Sequence, residues 1–182
     1  MSSAFSVELP RDVVEMLEPG EEVLWSGKPV KTPFVVKGLV VNIFTIPFIL
    51  FPVFIFMNVP KLLLEPMVLA FFALWWGMLG LISFGNPIYS FFVWKNIFYI
   101  ITNKRIIVRK GLIGIDYDVL DLDHVQQVNV DVGFWDKIYE TGTLTVQAIG
   151  VKPIILYCVE NPQKVQAILR KAVEFRRRGT SI

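Results

Sequence analysis

Hydrophobic and polar positions change their rhythm three times along this chain. Up to Lys37 they are mixed: a short amphipathic helix is expected from about Pro10 to Leu17, with Val13, Val14, Met16 and Leu17 on its apolar side. Pro19-Gly20 ends it, and Glu22 to Gly27 reads as one brief strand that Lys28-Pro29 breaks. Two uncharged apolar runs follow, 23 residues from Gly38 to Pro60 and 29 from Pro66 to Trp94, parted only by Lys61-Leu62-Leu63-Leu64-Glu65. About 20 apolar residues cross a hydrocarbon core as a helix, so the runs predict two membrane-spanning helices, about 38–60 and 66–94, joined as an antiparallel hairpin.

From Lys95 the pattern turns to short β-rich runs between turn residues. Strands are expected at Ile97–Thr102, Arg105–Arg109, Ile115–Leu122, Val125–Val132, Thr143–Ile149 and Pro153–Val159, with Gly111, Gly133, Gly142 and Gly150 among the connections. Such spacing suggests a small barrel or sandwich, and a single sheet with one capping helix is about what 88 residues can build. The last element begins at Asn161-Pro162 and places Val165, Ile168, Leu169, Ala172 and Val173 on one helical face, which suits a helix laid over an open end of that barrel. The predicted fold is therefore an α+β membrane protein in three parts: an N-terminal segment 1–37, a transmembrane hairpin 38–94, and a cytoplasmic domain 95–182.

Charge sets the expected orientation. Lys28, Lys31 and Lys37 precede the first run, Lys95, Lys104 and Arg105 follow the second, and the loop between offers Lys61 alone, so both termini are expected in the cytoplasm of a multi-pass plasma-membrane protein. Residues ahead of Gly38 include Glu8, Asp12, Glu15, Glu18, Glu21 and Glu22, unlike a basic cleaved leader. The single Cys158 suits a reducing compartment. Within the hairpin Asn42, Thr45, Asn58 and Ser83 are the polar residues, and no ionisable group sits at mid-depth where a transport path would need one. Pro47 and Pro52 are expected to bend the first helix and Gly85-Asn86-Pro87 to kink or interrupt the second, while Trp75 and Trp76 are expected to pack against the first.

Candidate chemistry is sparse. Asp116, Asp118, Asp121 and Asp123 with His124 form the densest cluster, yet a calcium loop starting at Asp116 would have Asp121 at its glycine and Gln127 at its bidentate glutamate. His124 is the only histidine, which excludes a second imidazole for a transition metal, and Cys158 lies in an apolar run where a thiol is normally inert. No phosphate-binding glycine loop, zinc helix or nucleophile elbow occurs. The expectation is a chain that is not an enzyme and uses no cofactor or metal. After the apolar runs, 13 Lys and Arg stand against 9 Asp and Glu. Lys104, Arg105, Arg109 and Lys110 are the candidate residues for binding anionic lipid headgroups, where each cation near an anionic leaflet contributes about 1 kcal/mol. Nucleic acid is not expected as a partner, since no reader motif accompanies the basic tail.

The stretches from Leu17 to Pro29 (LEPGEEVLWSGKP) and from Tyr99 to Leu112 (YIITNKRIIVRKGL), either side of the apolar runs, resemble the membrane-anchored branch of the bacterial pleckstrin-homology (PH) domain family. Asp123 to Val128, Thr141-Gly142-Thr143-Leu144 and the Asn161-Pro162 helix fit the same pattern, and Glu140 departs from it where a second glycine is expected. The resemblance implies a seven-stranded, strongly bent PH-like barrel capped by the C-terminal helix, and it implies no activity. The functional expectation is a protein-docking or assembly module at the inner leaflet, with the bilayer and a protein partner or second copy as its contacts. Two rivals are an anionic headgroup sensor and an accessory subunit of a transport system.

Overall fold

The computed structural model describes residues 9–112 and 114–179, with the side chains of 38–41, 43, 62–63, 86 and 179 outside that description. Its elements in chain order are α1 (Arg11–Met16), β1 (Val23–Gly27), α2 (Lys31–Asn58), a 3-10 turn (Pro60–Leu64), α3 (Pro66–Asn96), β2 (Phe98–Thr102), β3 (Arg105–Lys110), β4 (Asp116–Asp121), a second 3-10 turn (Leu122–His124), β5 (Val125–Asp131), α4 (Phe134–Ile138), β6 (Thr141–Ala148), β7 (Ile154–Glu160) and α5 (Pro162–Gly179). The chain divides into two units: residues up to Phe34 together with Val93 onward, and Val35–Phe92.

The first unit holds all seven strands, in two antiparallel sheets rather than the single sheet expected. One has the order β1-β2-β3-β4 and the other β5-β6-β7. β1 comes from the N-terminal segment and pairs with β2, Val23 opposite Thr102 and Gly27 opposite Tyr99, so the β domain needs residues from both sides of the apolar runs. Between the sheets Tyr99, Ile101, Ile106, Val108, Leu120, Leu144, Val146 and Leu156 are buried, and α5 closes the core with Val165, Leu169, Ala172 and Val173. The apolar stripe that predicts α5 is thus the face it buries.

Alternation along the first sheet sends the remaining residues outward, where they are covered too. Phe98, Ile100 and Ile107 form a second buried cluster with Val13 of α1, flanked by Leu9, Leu17, Val23 and Tyr117. All five residues of β2 are therefore buried. Two backbone details account for motif positions. Gly142 lies against Pro162, where an added Cβ would stand 2.7 Å from the proline Cγ. Glu140 has φ of 52°, the left-handed region that favours glycine, which explains the glycine expected there.

In the second unit α2 and α3 run antiparallel: Thr45 Oγ1 meets Ser83 Oγ at 3.1 Å, and the Phe56 and Phe72 rings stand 5.0 Å apart. Pro52 has no N–H to give the Phe48 carbonyl, and Trp75 Nε1 donates to that oxygen at 3.2 Å, with Trp76 Nε1 donating to Ile49 at the same distance. The two tryptophans pack on α2 as expected. α3 stays helical through Gly85-Asn86-Pro87, so the second run is not interrupted there.

The expected transmembrane hairpin with spans at about 38–60 and 66–94 is corrected by this structure. Among the described residues one helix, α3, is long and apolar enough to cross a membrane, and the apolar stretch described within α2 is the shorter Phe44–Asn58. The α2 helix also starts ahead of the uncharged run, at Lys31, and carries Lys37 in its early turns. Length and composition of α3 alone do not establish a membrane protein.

Candidate functional site

The β3 alternation decides where the basic candidates go. Arg105 and Arg109 share the outer face with Ile107, beneath the N-terminal segment, and Lys110 shares the other face with Ile106 and Val108. On the outer face each guanidinium meets a carboxylate from the first 21 residues. Glu21, whose side chain is fully enclosed, accepts from Arg105 Nε at 3.0 Å and Nη2 at 2.9 Å, from the Thr102 hydroxyl at 2.7 Å, and from the Glu18 N–H at 2.9 Å. Arg105 Nη2 also donates to the Met16 carbonyl at 2.8 Å. Arg109 Nε donates to Asp12 at 2.7 Å, its Nη1 donates to the Asn96 carbonyl at 3.0 Å, and the Tyr117 hydroxyl donates to the same Asp12 oxygen. In the β2–β3 turn Lys104 pairs with Glu18 at 2.9 Å. Asn103 ties that turn to β1, its Oδ1 accepting from the Glu22 N–H and its own N–H donating to the Glu22 carbonyl, both at 3.0 Å.

Proton affinities follow this geometry. Hydrogen bonds from Tyr117 and then Arg109 hold the Asp12 carboxyl below the usual carboxylate range. Burial alone would push Glu21 up, but the donors from Arg105, Glu18 and Thr102 outweigh it and the carboxyl ends lower. The Lys104 ammonium draws Glu18 down. Arg105 is raised by its Glu21 hydrogen bond, and burial raises Tyr117.

The four basic candidates are thus not one patch. Arg105 and Arg109 sit under α1, Lys104 lies at the turn, and Lys110 turns the other way to pair with Asp118. Sequence reasoning missed Asp12, Glu18 and Glu21 as their partners. The available signal was the six carboxylates among residues 1–37, which exceed the four basic residues there. A second cationic group flanks Trp94, where Lys28 Nζ lies 4.1 Å from the Phe98 ring centre and 5.7 Å from that of Trp94. Lys31 Nζ stands 5.6 Å from the same indole, and burial lowers the Lys28 ammonium.

The aspartate cluster does not converge. Asp118 takes Lys110, Asp123 takes Arg176 at 3.2 Å, and no group of three or more His, Cys, Asp or Glu among the described residues can hold a metal ion. Cys158 is fully buried whereas His124 is exposed, so the two are not arranged as a nucleophile and its base.

Open grooves also mark the β domain, and two of them lie along strands. One of about 220 Å³ runs between β5 and α5, past Val125, Val128 and Val173, and there Gln166 Nε2 and Arg177 Nη2 donate to the β5 carbonyls of Val128 at 2.7 Å and Val125 at 2.6 Å. The other, of about 300 Å³, lies between residues 117–120 of β4 and 151–154.

The fold and these surfaces frame the comparisons. A crystal structure of a DUF1696 family protein with a pleckstrin-homology domain from Shewanella loihica PV-4 is similar over 42% of this chain and 70% of that one, at 15% identity and a TM-score of 0.36. No curated protein matches this sequence. The bacterial PH domain family matches residues 34–173, well over half of the sequence, and the chain belongs to that family.

Proposed function

We propose that this chain is a non-enzymatic docking or assembly module whose β domain binds a protein partner beside the inner leaflet of a membrane. A PH-like domain is consistent with a docking or binding role. The observation that favours a protein partner over a lipid headgroup is the pairing of Lys104, Arg105 and Arg109 with Glu18, Glu21 and Asp12. A headgroup phosphate would have to displace carboxylates that already satisfy the guanidinium donors, and Glu21 is fully enclosed while doing so. A site beside the bilayer is supported by α3, whose apolar window is only 11% buried within the chain, and by Lys95, Lys104 and Arg105 after it.

The test uses the full chain, because a fragment from Lys95 onward would lack β1 and α1. A photo-crosslinking residue is placed at one exposed position of the β domain at a time and irradiated in the cells that make the protein. Discrete protein adducts grouped on one surface are expected. Adducts to lipid alone from every position would overturn the reading in favour of headgroup binding.

A further inference from the structure

We propose that the docking surface is the open edge of β4, and that its occupant is an extended partner segment alternating basic and apolar side chains; this rests on the docking reading above. Strand edges expose unpaired N–H and C=O groups, and proteins either cover them or use them. Here the other edges are covered. Gln166 and Arg177 of α5 occupy carbonyls of β5. At β7 the Tyr99 hydroxyl accepts from the Tyr157 N–H at 3.0 Å and donates to the Tyr157 carbonyl at 3.3 Å, and the Val30 N–H donates to the Cys158 carbonyl at 2.8 Å. Burial raises the Tyr99 hydroxyl, so it keeps its proton as the donor. α5 packs against β1. β4 has β3 as its only strand neighbour among the described residues, and its other side opens on the groove of about 300 Å³.

The chemistry of the occupant follows from period 2. Asp116, Asp118 and Leu120 share the face that enters the core at Leu120, and both aspartates are exposed. Tyr117 and Val119 share the opposite face, where Val119 is 43% exposed. A strand added to β4 sets its side chains beside those of the same face, so alternate positions meet carboxylates and the positions between meet Tyr117 and Val119. Lys or Arg suits the first set, and β-branched or aromatic residues suit the second. Asp118 already takes Lys110 and would share it with the newcomer, whereas Asp116 has no ion pair among the described residues. Exposed Val151 adds to the apolar side of the groove, and Lys152 lies on its far wall. A second copy of this chain suits the edge less well, because pairing β4 with itself crowds Asp116, Asp118 and Asp121 against their own mates.

The probes are three six-residue peptides added to the full chain in mild detergent: alternating Lys-Val, alternating Glu-Val, and Lys-Val with N-methylated backbone. Amide exchange at residues 116–121 is the readout. Saturating Lys-Val peptide should slow it by about tenfold or more, as strand addition protects edge amides, while the other two leave it unchanged. Asp116→Lys should weaken Lys-Val binding by roughly fivefold, with the circular dichroism spectrum unaltered. Equal protection by the Glu-Val peptide, or no protection by Lys-Val, would overturn the proposal. Protection that grows with protein concentration in the absence of peptide would replace the basic segment by a second copy and overturn it too. If the peptides fail while crosslinks gather on another surface, the β4 assignment falls and docking stands; if the crosslinks are also absent, both fall.

Discussion

Replacing Glu21 with alanine probes whether the N-terminal segment is part of the β domain. The carboxylate is fully enclosed and joins Arg105, Thr102 and the Glu18 N–H, so its loss leaves the Arg105 guanidinium, 17% exposed, without its main partner. Breaking a buried pair from one side costs about 3–5 kcal/mol. Arg105 keeps the Met16 carbonyl and a Glu18 oxygen at 3.6 Å, and it is not wholly shielded from water. That places the expected loss lower, at about 2–3 kcal/mol. Because the chain has two units, a single unfolding free energy is ill defined, and amide exchange of β2 is the better measure. Exchange at Ile100 and Ile101 should quicken by about 30- to 150-fold in Glu21→Ala, since 1.4 kcal/mol is a factor of ten. Glu22→Ala, next door and exposed, should leave it unchanged. A change of less than about threefold in Glu21→Ala would refute the reasoning, because a loss of 2 kcal/mol or more cannot produce so small an effect.

Other outcomes follow from the same packing. Gly142→Ala should destabilise the β domain by about 1–3 kcal/mol through overpacking on Pro162, and Pro162→Ala should relieve most of that in a double-mutant cycle read by amide exchange of β6. Glu140→Gly should stabilise it by about 1 kcal/mol, because the residue sits at φ 52° on an exposed turn; a lowered melting temperature would contradict this. Asp12, Glu18 and Glu21 all have folded-state affinities for protons below their unfolded values. Their stabilisation is therefore fully present above the unfolded carboxylate range, at about pH 4, and is lost as pH falls through the folded values. Amide exchange of residues 12–17, corrected for its intrinsic pH dependence, should show the segment loosening towards pH 3, and no change between pH 7 and 3 would count against the ion pairs.

Much of the β domain was legible because its signals are local. Each strand after Lys95 is bracketed by turn residues, and the α5 stripe is a periodicity within one element. Long-range pairing was not legible: Val23 finds Thr102 across both apolar runs, and nothing in six residues around Trp25 names that partner. β2 did carry a signal that went unread. Its run of Phe98, Tyr99, Ile100, Ile101 and Thr102 lacks the polar alternation of a strand with one wet face, which is what cover on both sides requires. The basic candidates failed to form one patch for a related reason, since alternation on β3 separates Lys110 from Arg105 and Arg109. The first apolar run was read as a helix from Gly38, whereas that helix begins seven residues earlier, at Lys31.

The central claim is that Arg105 and Arg109 of β3 hold the protein's own N-terminal segment and so leave recognition to a protein partner. The most direct measurement is a titration of the full chain with a water-soluble anionic headgroup, glycerophosphoglycerol, following the side-chain Nε–H resonances of Arg105 and Arg109. Both should stay in place at saturating headgroup, because Glu21 and Asp12 remain bonded to them. Saturable shifts of either resonance would contradict the account.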